Sequence, residues 1–236
     1  MKITKKAKVF NREVRLDELR SELYKVDVAI LILANLPPLF GLVFFGWQTI
    51  DVLFLFGFEV VVIGFFNLVK LLWVRGTQRA PKYLKIIMVP FFIIHFTVFL
   101  GVCYIGILAV LTAYKQVILD SSGIRTIWKF TLKPYFNHQV LNPGNLLFYN
   151  YILILISHAT AFSQNFLKGE ENIKMTIDNL MRAPYWQIFI TQVWIVGGAA
   201  IILEYRWSLT WLSLSVIIKM AIDFYLRYRE HYKYGI

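Results

Sequence analysis

"IIMVPFFIIHFTVFLGVCYIGILAVLTAY" occupies Ile86–Tyr114, 29 consecutive residues without Asp, Glu, Lys or Arg. A hydrocarbon core about 30 Å thick is crossed by about 20 residues of helix at about 1.5 Å each. A buried helix in a soluble domain has no need of so long a run. Working outward, a second uncharged run of 23 residues covers Val28–Ile50. The 236-residue chain is 58% hydrophobic, with mean hydropathy +0.59, against about 45–50% apolar residues in ordinary globular domains. These features predict an all-α, polytopic membrane protein whose solvent is the lipid bilayer.

The apolar segments predict six transmembrane helices in one domain, at about 26–46, 50–74, 86–114, 146–167, 184–203 and 207–226. Residues 1–25 read as a basic cytoplasmic head, too polar for a leader segment, and 227–236 as a cytoplasmic tail. Between them, the aromatic and basic stretch 115–145 reads as an extended outer loop at the interface. The first span holds Asn35 and the pair Pro37–Pro38, so its hydrogen-bond ladder is expected to break near mid-membrane.

Net charge is +11, with 25 Lys and Arg against 14 Asp and Glu. No nucleic-acid-binding module accompanies that charge, and topology accounts for it better. With the N-terminus inside, the inner segments carry 18 basic residues and the outer ones 5, which favours a cell membrane protein with both termini cytoplasmic. The lone cysteine, Cys103, excludes an intrachain disulfide and a multi-cysteine metal site.

Five polar side chains fall in the central third of the bilayer when residues are counted inward from the span ends: Asn35, Glu59, His95, His158 and Lys219. Hydrocarbon rejects such groups, so they are expected to face a bundle interior or water. Asn67 and Lys70 follow Glu59 near one face of the second span; Lys70 reads as snorkelling to the inner surface. Lys219 and Asp223 are i, i+4 neighbours and can pair, or Lys219 can reach Glu59 across the bundle. The sequence leaves that choice open.

Known catalytic signatures are missing. There is no H-E-x-x-H, no G-x-S-x-G, no phosphate-binding glycine loop and no T-V-G-Y-G filter. The stretches "ANLPPLFGLVFFGW", "FEVVVIGFFNLVKLL", "PFFIIHF" and "VIIKMAIDFYLRYREH" together resemble an uncharacterised family of prokaryotic multi-pass membrane proteins, known only as a domain of unknown function. The likeness covers most of residues 26–231. It implies that Asn35, Glu59, Asn67, Lys70, His95, Lys219, Asp223 and His231 stand at the family's recurrent polar positions, and it leaves His158 outside them. The resemblance implies the fold and carries no activity.

Function then divides into classes. One is a transporter for a small ion or solute, with Asn35, Glu59, Asn67, His95, Lys219 and Asp223 as the substrate-binding set. Another is a membrane redox or metal enzyme, with a haem between His95 and His158 or a metal on His95, His158 and Glu59. The third is a structural or assembly subunit whose polar centre sets helix registry. A homo-oligomer fits any of them, because lipid-facing and subunit-facing surfaces have the same composition.

Overall fold

The computed structural model describes residues 26–47, 49–75, 82–113, 145–168, 171–185, 188–189 and 208–234. The described elements are helical: α1 (Val26–Phe44), α2 (Thr49–Trp73), α3 (Lys82–Ala113), α4 (Leu146–Ala161, continued by a π-helical stretch Phe162–Lys168), α5 (Glu171–Lys174), α6 (177–185) and α7 (Ser208–Tyr234).

Among the described residues, four helices and not the expected six are long and apolar enough to cross a membrane: Val26–Phe44, Asp51–Trp73, Leu84–Gly106 and Leu146–Lys168. Nearly all of the segment expected at 184–203 lies outside the described residues, as do the head 1–25 and most of the loop at 115–145. The segment expected at 207–226 does form a helix, α7, but that helix runs on to Tyr234 and is far less apolar over its length than the others. Lys219, Asp223 and Arg227 lie on it: Lys219 reaches Glu59 of α2, Arg227 reaches Asp27 of α1, and Asp223 pairs with Lys219 within α7.

The α1 helix is continuous through Pro37–Pro38, so the expected break is no interruption. What the prolines remove is two N–H donors, those that would reach the carbonyls of Leu33 and Ala34. The helix ends at a turn in which Phe45 and Trp47 donate to the Gly41 carbonyl at 3.1 and 3.0 Å. Gly46 takes φ 64° there, a left-handed conformation that costs glycine little.

The second helix is the hub. It packs antiparallel to α3: Tyr104 lies against Gly57, Phe96 against Gly64, and Lys85 donates to the Val74 carbonyl at 2.6 Å. It runs parallel to α4, with Phe58 edge-on to Tyr151 at 4.9 Å and Phe66 beside Phe162 at 5.5 Å. Helices α1 and α7 are antiparallel, because Asp27 meets Arg227 and, eight residues on in α1 but eight back in α7, Asn35 meets Lys219. Apolar packing fills one end of the bundle with Val60, Leu71, Phe92, Phe96, Phe166 and Leu180. Outward-facing Ile86, Ile94, Val98 and Ile105 leave α3 a broad apolar surface, as a lipid-facing helix requires.

Candidate functional site

Lys219 is the centre of a charged cluster. Three turns into α7, its Nζ lies 2.6 Å from Glu59 Oε2 and 2.6 Å from Asp223 Oδ2, and it donates to Asn35 Oδ1 at 2.7 Å. The Phe56 ring lies 5.7 Å away on the same side as Glu59. Asn35 turns its amide the other way and donates to the Leu31 carbonyl at 3.0 Å, which fixes the oxygen toward the ammonium. Glu59 also meets α4, where His158 Nε2 stands 3.5 Å from Oε1. Lys219, Glu59, Asp223 and Asn35 are all buried.

The arrangement follows from elementary electrostatics. In a low dielectric an isolated charge costs several kcal/mol, and only close, hydrogen-bonded opposite charges offset that cost. One ammonium faces two carboxylates, so the core of the cluster carries a formal charge of −1 when both are ionised. A proton on His158 or on either carboxylate brings it to neutrality.

Two cavities meet at this cluster. One, about 100 Å³, runs from Glu59, His158 and Asp223 past Asn67 to Lys70, Glu171 and Arg227. Its lining includes the exposed Ala183 and the partly exposed Lys70, so its far end reaches the protein surface. The other, about 10 Å³, lies on the opposite side, among Ala34, Asn35, Pro38, Phe56, Ser157 and Lys219. Glu59 and His158 line both.

The surface end of the larger cavity is built from the segment after α4. Lys70 Nζ meets Glu171 Oε1 at 2.6 Å, Asn67 donates to the Leu180 carbonyl at 2.8 Å, and Arg75 N donates to the Asn172 carbonyl at 2.9 Å. The π-helical stretch widens the end of α4 by one residue per turn. It places Phe166 against Phe162 at 5.3 Å, and the Lys70 ammonium lies 5.9 Å from the Phe166 ring.

Residues 18–235 match the family described as "Family of unknown function (DUF6498)". The chain belongs to that family. Searches of curated proteins and of solved structures found no match. Membership and four apolar helices together make it a multi-pass membrane protein of unknown activity.

Of the polar residues singled out in the sequence, Asn35, Glu59, Lys219 and Asp223 come together, and His158 joins them through Glu59. Asn67 lines the larger cavity and holds α6. His95 is elsewhere. It lies on the outward side of α3, stacked on Phe91 at 5.6 Å, with Nδ1 2.9 Å from the Tyr185 hydroxyl. Among the described residues, no group of three or more His, Cys, Asp or Glu side chains is placed to hold a metal. Lys70 pairs with Glu171 where snorkelling was expected. Sequence reasoning passed over Asp27, Arg227, Glu171, Ser157 and Asn150. The first three looked like ordinary membrane-edge charges, and the last two like ordinary helix residues; burial distinguishes Asp27, Glu171, Ser157 and Asn150, and the pairing with Asp27 distinguishes Arg227.

Proposed function

We propose that this protein moves a small ion or solute across the membrane, with Glu59, Lys219, Asp223, Asn35 and His158 as its exchange site. The observation that carries this is the shared wall: Glu59 and His158 line both cavities, so one group of ionisable side chains borders open space on two sides. A carrier needs a site that can be presented to each side in turn. The basic residues gathered at the end with the larger cavity, among them Lys70, Arg75, Lys85, Arg182 and Arg227, favour a cytoplasmic location for that end. The start of α1 and the end of α7 lie there too, which favours cytoplasmic termini.

Flux assays in proteoliposomes with protons, Na⁺, K⁺ and small anions test the proposal. Wild-type flux of at least one species, lost in Glu59→Gln, is the expected result. Flux equal to that of empty vesicles across the panel overturns it.

A second reading has its own observation in its favour. Lys219 is saturated by three oxygen acceptors from three helices, which is what a device for helix registry requires. In that case Glu59→Gln changes stability and no flux. A haem or single-metal centre finds less support, because His95 is held by Tyr185 and His158 by Glu59.

A further inference from the structure

We infer that the species exchanged at the charged cluster is the proton, and that it passes on the smaller-cavity side through Ser157 and Asn150 of α4. This inference rests on the transport reading above and names its substrate class.

The size of the smaller cavity is the first argument. About 10 Å³ is room for one water. Dehydrated Na⁺ or K⁺ needs several oxygen ligands around it, more than a space for one water admits. Anions meet a different difficulty, since two carboxylates already occupy Lys219. A proton needs no volume of its own. It travels as an O–H or N–H bond on groups already present.

The second argument is independent of the first. Ser157 lines the smaller cavity, is 2% exposed, and its Oγ has no hydrogen-bond partner among the described residues. Seven residues earlier on α4, Asn150 is fully buried, and neither its amide nitrogen nor its oxygen has a partner among the described residues. A buried polar group left unpaired costs about 1–3 kcal/mol, and such groups are normally met by internal water. Two of them on one helix, about 10 Å apart along its axis, with Ser157 on the cavity wall beside Glu59, are the polar stations available to a proton on this side. The charged and titratable groups facing Glu59 are Lys219 and Asp223 from α7 and His158 from α4; α1 contributes the neutral Asn35.

The step balances without a co-reactant. A hydronium on the Asn150 side gives a proton to Ser157 Oγ, which releases its own to a water in the cavity. That water forms the new O–H bond on Glu59 Oε1 or the N–H bond on His158 Nε2. A protonated Glu59 no longer holds Lys219 as an ion pair, and Lys219 keeps Asp223 and Asn35. The proton then leaves into the larger cavity toward Asn67 and Lys70.

The test is a pH-sensitive dye trapped in proteoliposomes, with a K⁺ diffusion potential as driving force, and ²²Na⁺, ⁸⁶Rb⁺ and ³⁶Cl⁻ uptake measured in parallel vesicles without ionophore. Proton flux in the wild type is expected, reduced tenfold or more in Ser157→Ala and in Asn150→Leu, and largely kept in Ser157→Thr. Proton flux unchanged in both Ser157→Ala and Asn150→Leu overturns the path. Cation or chloride flux without proton flux overturns the inference and leaves the transport reading standing. Flux of no species overturns both. The wild-type selectivity decides the substrate class even if a variant fails to fold.

Discussion

Glu59 and Lys219 meet at 2.6 Å, although 160 residues separate them in the chain. Asp223 holds the same ammonium at 2.6 Å, so the pair is really a triad. Replacing Lys219 by Met leaves two buried carboxylates facing each other, and breaking a buried pair costs about 3–5 kcal/mol. Lys219→Met should therefore lower the melting temperature in detergent sharply. Glu59→Gln added to it should recover only part of the loss, because Asp223 remains. The triple variant with Asp223→Asn should recover most of it. Strictly additive losses in this series would show that the three groups do not share an environment.

Gly64 lets α2 and α3 approach. A Cβ built there would fall 2.2 Å from the Phe96 ring, and Phe96 is pinned by stacking on Phe92 at 5.3 Å. Gly64→Ala should cost about 1–3 kcal/mol by overpacking, and Phe96→Leu in the same chain should return part of it. Gly101 on α3 has open space around its Cβ position. Gly101→Ala should be neutral or stabilising by up to about 1 kcal/mol, from helix propensity alone. Thermal unfolding of the three variants checks the contrast; equal effects at the two glycines would contradict the helix packing.

What the sequence revealed of the site and what it hid have a common physical cause. An apolar run reports that a helix exists, and counting at about 1.5 Å per residue reports depth. Depth alone placed Asn35, Glu59 and Lys219 at one level, and those three side chains do meet. Rotation about the helix axis is not contained in that count. His95 has a similar expected depth but faces away, because α3 is apolar nearly all round and gives no amphipathic signal. The number of spans differs for another reason: α7 runs on to Tyr234 through charged residues and is far less apolar over its length than the four helices that can cross a membrane, and nearly all of 184–203 lies outside the described residues. The cavities depend on where several helices fail to touch, which no single segment encodes.

Lys70 and Glu171 tie the segment after α4 to the end of α2 at 2.6 Å, and Glu171 is 1% exposed. Lys70→Met should loosen that attachment without unfolding the bundle. Hydrogen exchange of amides in 171–185 should accelerate about tenfold or more, a loss of about 1.4 kcal/mol or more of local protection, while amides in the middle of α2 stay slow. The charge-reversed pair Lys70→Glu with Glu171→Lys should restore part of the protection. Uniform acceleration across α2 and α4 would show instead that the pair supports the whole fold.

The two membrane-depth histidines should behave differently when each is replaced by Gln. Among the described residues His95 bonds the Tyr185 hydroxyl at 2.9 Å, on an outward surface. His95→Gln should cost about 0.5–1.5 kcal/mol and leave flux within about twofold. Tyr185→Phe should match it, since it removes the same bond from the other side. His158 lies 3.5 Å from Glu59 and lines both cavities. Removing its imidazole takes away a group that can share the cluster's proton, and general acid–base groups in such positions contribute about 100-fold or more to rate. His158→Gln should thus lower proton flux far more than it lowers the melting temperature. Reconstituted flux and thermal unfolding measured on the same preparations separate the two roles. A haem absorption band abolished by either substitution alone would mean that both histidines serve one iron, and the assignment of His158 to the charged cluster would be wrong.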